Sequence, residues 1–208
     1  MPQVLKDEVR ARILDGALEV FARDGVEAAT MATIAKAAGV GAASIYRYYA
    51  SKDELFDAVI TPELTKRFEA LLDLRVRALA RNTLRGESTD DAGGEMLQFW
   101  IEHRLAVVIL LDRAGGTRHA HYGERFVELL MKHTLAELRA SHAKLELGGP
   151  RRFVLRAIFE NTRRVLASVL EHHADPAELR EAIHAFWRYQ LAGLRAFVAE
   201  EALGARRA

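Results

Sequence analysis

Between Thr30 and Asp53 the chain reads TMATIAKAAGVGAASIYRYYASKD, a pattern that leaves few folds open. Two short helical stretches flank a glycine, and the residues at their junction are small. Ala35 leaves room for a facing helix, and Gly39 can take the positive φ that ends a helix at no steric cost. Ile34, Val40 and Ile45 can supply the apolar contact across the crossing. Two helices crossing steeply over a short glycine turn make a helix-turn-helix, whose second helix enters the major groove of DNA. A helical hairpin buried in a core would carry the same local pattern, so the flanking sequence has to decide.

Upstream, Val9, Ile13, Ala17, Val20 and Phe21 fall on one face at helical spacing, which predicts a helix ending at Gly25. Thr30 is a natural N-cap for a helix starting at Met31. Downstream, Ser51 to Glu54 reads as a capping box that opens a new helix at Lys52. Leu55, Phe56 and Val59 return that helix's apolar face to the same small core. Three helices and the start of a fourth thus form a compact N-terminal unit.

Ile34-Ala35, Gly39-Val40, Ile45-Tyr46-Arg47-Tyr48-Tyr49 and Ser51-Lys52-Asp53-Glu54-Leu55, in this order and spacing, resemble the DNA-binding domain of the TetR family of bacterial transcriptional regulators. The resemblance covers roughly residues 6 to 60. It implies an all-α protein, with an N-terminal three-helix helix-turn-helix DNA-binding domain over 1–60 and a larger helical-bundle domain for ligand binding and dimerisation over 61–208. It also implies that Tyr46, Arg47, Tyr48 and Lys52 contact DNA, while Tyr49 is a buried aromatic packed on the first helix.

Net charge taken alone argues against a polyanionic partner, since +1 over 208 residues is nearly neutral. Its distribution answers the objection. No acidic residue occurs from Ala28 to Lys52, whereas Lys36, Arg47 and Lys52 are basic, and the acids cluster on either side. Half the residues are hydrophobic, enough for a sizeable core. The chain has no cysteine, which removes disulfide scaffolds and thiolate chemistry. No apolar leader or membrane-length apolar run is present, so a soluble, cytoplasmic protein is expected.

The start of the recognition helix should face base edges. Ala42 and Ala43 can offer methyl contacts to thymine or serve simply as helix formers, leaving hydrogen-bonded base reading to Ser44, Arg47 and Thr33. Lys52, in the first turn of the next helix, has the reach and charge for phosphate, and Thr30 or Thr33 adds a hydroxyl.

Beyond Thr61, helices are expected to about Leu84, over Glu95 to Arg113, from Glu124 to about Ala143, from Arg151 to His172 and from Pro176 to about Leu203. Arg85 to Gly94 reads as a polar, glycine-containing loop. The last two helices carry broad apolar stripes, and Phe159, Thr162, Leu166, Phe186, Trp187, Leu191, Gly193 and Leu194 are the candidate dimer interface of an intersubunit four-helix bundle. Service in the monomer core is the alternative. A twofold dimer would let two recognition helices meet a palindromic operator.

Phe99, Trp100, His103, Arg104 and Val107, with Tyr122 and Phe126, are the candidate lining of a small-molecule cavity. The His119/His121 and His172/His173 pairs lack the i, i+4 spacing that puts two imidazoles on one helix face, so neither a metal nor another cofactor is expected. No glycine-rich phosphate loop, nucleophile elbow or zinc-spaced histidine pair points to an enzyme. The expectation is a regulator, released from double-stranded operator DNA by a small-molecule effector, acting as a homodimer and without a membrane partner. A helical interaction protein without sequence-specific DNA binding and a metal-responsive regulator are the alternatives.

Overall fold

A computed structural model describes residues 3–85, 91–141 and 147–204, and every described element is helical. In chain order these are α1 (Gln3–Asp24), α2 (Met31–Ala37), α3 (Ala42–Ile45), α4 (Lys52–Val59), α5 (Pro62–Arg85), α6 (Asp91–Glu102) and α7 (Arg104–Val108). A π-helical turn (Ile109–Arg113) follows, then α8 (Tyr122–Ser141), α9 (Gly149–His172) and α10 (Pro176–Gly204). Among the described residues no helix is long and apolar enough to cross a membrane.

The chain divides into two compact units. The first holds residues 1–67 together with 103–123, and the second holds 68–102 and 124–208. The core of the first unit is made by the faces anticipated from periodicity: Ile13, Ala17, Val20 and Phe21 of α1 meet Ile34 and Ala35 of α2, Ile45 of α3 and Leu55 and Phe56 of α4, all buried. Phe21 and Phe56 pack edge to face, with ring centroids 6.0 Å apart. Residues 103–123 join this unit because α7 and the π-helical turn lie on α1. Ala106 to Leu111 are all buried, which a helix exposed on one face would not allow. The Arg113 carbonyl accepts from the Val26 amide at 3.0 Å, and the Arg113 guanidinium donates to the Ala22 carbonyl at 3.2 Å.

In the second unit, Phe68 of α5 stacks on Phe99 of α6 with centroids 5.6 Å apart. His133 of α8 is tied to Asp73 of α5 at 2.8 Å, and Arg156 of α9 pairs with Glu128 of α8. Between α9 and α10 the buried Gln190 donates from its side-chain amide to the buried Thr162 hydroxyl at 2.9 Å.

Two helix boundaries differ from the sequence reading. Residues 91–94, expected in a loop, form the first turn of α6, and Gly93 lies beside Arg75 of α5, so tertiary packing offsets the poor helix propensity of two glycines. The single helix expected from Glu95 to Arg113 is broken at His103, whose φ of −118° and ψ of 29° are not helical. The part of the loop expectation at residues 86–90 lies outside the described residues, as does the expected end of the helix at Ala143.

Candidate nucleic-acid interface

The helix-turn-helix is assembled on α1. Gly16 lies where α1 meets the end of α2: a Cβ there would stand 2.8 Å from the Ala38 backbone nitrogen, so only glycine permits this approach. At the turn, Gly39 has φ of +64°, its amide donates to the Lys36 carbonyl at 3.2 Å and the Val40 amide donates to the Ala35 carbonyl at 2.9 Å. This paired closure is a Schellman motif; it ends α2 and turns the chain into α3. Ser51 caps α4 by accepting from the Glu54 amide at 3.1 Å, while the Glu54 carboxylate reaches back to the Ala50 amide.

Buried Ile45 anchors α3, which leaves Ala42 and Ala43 exposed, Ser44 half-buried, Tyr46 57% exposed, Arg47 exposed and Tyr48 half-buried. Lys36 on α2 is also exposed. Along the sequence no acidic residue occurs from Ala28 to Lys52. Tyr49 is buried at 2% exposure, its hydroxyl accepting from Arg10 Nε at 3.1 Å with the guanidinium 5.5 Å from the ring centre. That hydrogen bond raises the Arg10 pKa above its ordinary value and keeps α1 fastened to the end of the motif.

Three residues expected to contact DNA are engaged within the fold. The Lys52 ammonium donates to three backbone carbonyls of the α1–α2 connection: Val26 at 2.7 Å, Ala29 at 2.9 Å and Glu27 at 3.1 Å. An ammonium has three donors, and all three are directed here to the loop, which the Lys52 side chain straps. Thr30 and Thr33 are exposed, yet their hydroxyls close the N-terminus of α2. Thr30 Oγ1 accepts from the Thr33 amide at 3.1 Å, and Thr33 Oγ1 accepts from the Thr30 amide at 3.0 Å and donates to the Thr30 carbonyl at 2.8 Å. Sequence reasoning missed Arg12, an exposed α1 residue with a guanidinium nitrogen 3.7 Å from the Cβ position of Gly39. Its place beside the turn depends on how α1 packs on α2, which sequence spacing alone does not give.

A family model described as bacterial regulatory proteins of the tetR family matches residues 13–59, the segment that builds this motif. The HTH-type transcriptional regulator TtgW of Pseudomonas putida, itself named as uncharacterised, is 30% identical over 138 residues, covering 66% of this chain and 84% of TtgW. The chain belongs to the TetR family.

The TetR-family chain is also similar to the HTH-type transcriptional regulator SrpR of Pseudomonas putida, at 30% identity over 139 residues. That match covers 67% of this chain but spans only about half of SrpR, 53% of its length. HdnoR of Paenarthrobacter nicotinovorans, named as a nicotine-responsive transcriptional repressor, is 24% identical over 181 residues, covering 82% of this chain and 87% of HdnoR. TetR-family proteins are regulators, not enzymes, and this chain is placed with them.

The other site residues of this TetR-family chain are distributed as follows. Phe99, Trp100 and Phe126 lie in the second unit, whereas His103, Arg104, Val107 and Tyr122 belong to the first. Phe99, Val107, Tyr122 and Phe126 are buried side chains, and His103 and Arg104 are half-buried. Trp100 lines a cavity between α5, α6 and α10. His119, weighed as a metal ligand, accepts from Arg118 at 3.2 Å and packs against Phe56.

Of the residues expected at a dimer interface, Phe159, Thr162 and Leu166 are buried within the subunit, because the α9 stripe carrying them faces its own bundle. Phe186, Trp187, Leu191 and Leu194 are half-buried, and Gly193 is exposed. The outward apolar face of α9 and α10 is instead carried by Phe153, 73% exposed, and Tyr189, 77% exposed, with Val154. These border a groove of about 430 Å³ with Gly193 and Leu194.

Proposed function

We propose that this TetR-family chain is a ligand-responsive repressor that binds a palindromic operator as a homodimer and is released by a small molecule. The observation that carries the reading is the acid-free, exposed stretch from Lys36 through Arg47, held on a closely packed α1–α2–α3 core. In this reading residues 1–60 are the DNA-binding domain and 61–208 serve ligand binding and dimerisation, and the protein works in the cytoplasm. Ser44 and Arg47 read base edges, Ala42 and Ala43 touch thymine methyls, and Lys36, Arg12, Tyr46 and Tyr48 meet phosphates. The Lys52 side chain acts by holding the loop ahead of α2.

One recognition helix reads too little sequence for an operator, and a second copy supplies the other half-site. The exposed Phe153, Tyr189 and Gly193 surface is suited to that pairing, since a large apolar patch on a soluble protein marks an interaction site. Ligand response is supported by the likeness to a repressor named as nicotine-responsive. The chain passes between its two units at residues 67/68, 102/103 and 123/124, so a change in the second unit has three covalent routes to the first. Any such coupling is reciprocal: a ligand that weakens operator binding is itself bound more weakly by the operator complex.

Selection of bound sequences from random duplexes tests the proposal. The expected result is a palindrome whose half-sites are spaced for a twofold dimer, bound with a steep salt dependence. Enrichment of no sequence over competitor DNA would leave a helical interaction protein as the better description.

A further inference from the structure

The chain has two tryptophans, Trp100 and Trp187, and both line one cavity in the second unit. Its volume, about 420 Å³, falls in the lower part of the range for small-molecule sites. The lining is lopsided in charge. Arg75, Arg180 and His184 join the two indoles, and among the described residues no aspartate or glutamate does. Arg180, His184 and Trp187 stand at i, i+4 and i+7 along α10, so helical geometry sets them in one stripe. Gly93 and Trp100, seven residues apart on α6, share a face in the same way.

Two local details add to this. A Cβ on Gly93 would lie 3.0 Å from Arg75 Nη1, so glycine at this position leaves the guanidinium its place at the cavity. Trp100 is only 3% exposed, and among the described residues its indole N–H has no hydrogen-bond acceptor. That nitrogen is sealed from the cavity, so Trp100 lines it with its ring carbons. The lining therefore carries two guanidinium groups and an imidazole and, among the described residues, no carboxylate.

We propose that this cavity binds an organic carboxylate with a flat, apolar body. The carboxylate is held by Arg180 and His184 with Arg75, and the body packs against the two indoles. A guanidinium fork matches a carboxylate in shape as well as charge, and indoles favour flat apolar partners. The inference names the effector class for the regulator proposed above and rests on that reading for its regulatory consequence, while the binding itself does not.

The test uses the full chain. Because both tryptophans line the cavity, intrinsic tryptophan emission reports on it alone. Naphthalene-2-acetate and 3-phenylpropionate are titrated against their primary amides, with calorimetry as the second readout. Each acid is expected to perturb the emission and to bind at least about tenfold more tightly than its amide, the scale of one charge-assisted hydrogen bond. Arg180→Gln and His184→Gln should each weaken the acids by about tenfold without altering amide binding or the thermal melt. Equal affinity for acid and amide overturns the proposal, as does acid binding that neither variant changes. So does preferential binding of benzyltrimethylammonium.

Operator affinity is measured separately on the selected duplex with the acid saturating. A carboxylate that fills the cavity and leaves operator affinity unchanged refutes the effector role while the anion site stands. A protein that binds no duplex refutes the regulator reading, and the tryptophan titration still decides the cavity.

Discussion

Replacing Lys52 by methionine keeps most of the side chain's length and removes the ammonium that bridges three carbonyls between α1 and α2. Hydrogen bonds to charged groups are each worth about 1.5–3 kcal/mol net. One ammonium supplies all three here, and the freed carbonyls of Val26, Glu27 and Ala29 can regain water in part, so the total falls well short of three independent bonds. A loss of about 2–3 kcal/mol for local opening of residues 25–30 is the reasonable scale. At about 1.4 kcal/mol per factor of ten, amide hydrogen exchange in that segment should speed up roughly 30- to 150-fold. Operator binding should weaken because α2 loses its seat, yet the slope of log affinity against log salt should stay the same, since no phosphate contact is lost. Were Lys52 a phosphate ligand, that slope would fall by about 0.9 with loop exchange unchanged. This second pattern would refute the strap.

Other substitutions probe the same architecture. Gly16→Ala sets a methyl against the Ala38 backbone, which cannot yield as a side chain could; despite better helix propensity it should destabilise the first unit by about 1–3 kcal/mol in urea unfolding. Lys36→Ala should lower affinity for all duplexes alike, whereas Ser44→Ala should change preference at one base position, as competition binding against single-base variants of the selected site would read out. Thr162→Val leaves the buried Gln190 amide without its acceptor and should cost about 1–3 kcal/mol in the second unit's unfolding. Gly193→Arg enters open space in the subunit, so the melt should hold while sedimentation shifts from dimer toward monomer; an unchanged dimer would move the interface off this face.

The sequence announced its local geometry well and its long-range geometry poorly. The turn at Gly39, the caps at Thr30, Ser51 and Asp175 and the burial of Tyr49 depend on neighbours a few residues away or on a family pattern, and all are present. The Lys52 strap was not legible because its partners lie 23 to 26 residues upstream, and charge alone does not say which oxygens a lysine will find. Gly16 carries no turn signal, being inside a long helix, so its close approach to Ala38 was invisible. Phe159, Thr162 and Leu166 share a stripe broad enough to serve either a partner or the subunit's own bundle, and periodicity cannot separate those uses. The carboxylate cavity was partly legible: Trp100 was singled out, but Arg75, Arg180 and His184 meet it from two other helices.

Because α7 and the π-helical turn complete the packing around α1, the compact unit that holds the helix-turn-helix is not a contiguous cassette. Val107, Val108 and Ile109, none of them exposed, belong to its hydrophobic interior although they lie more than forty residues beyond α4. A chimera that transplanted residues 1–67 alone onto a foreign sensor body would carry a bared flank of α1, together with Val26 and Ala22 backbone groups stripped of their Arg113 partners. Successful exchange of operator specificity, by recombination or by engineering, therefore has to move residues 103–123 as well or keep a matching segment in the recipient. Smaller edits confined to the α3 surface escape that constraint.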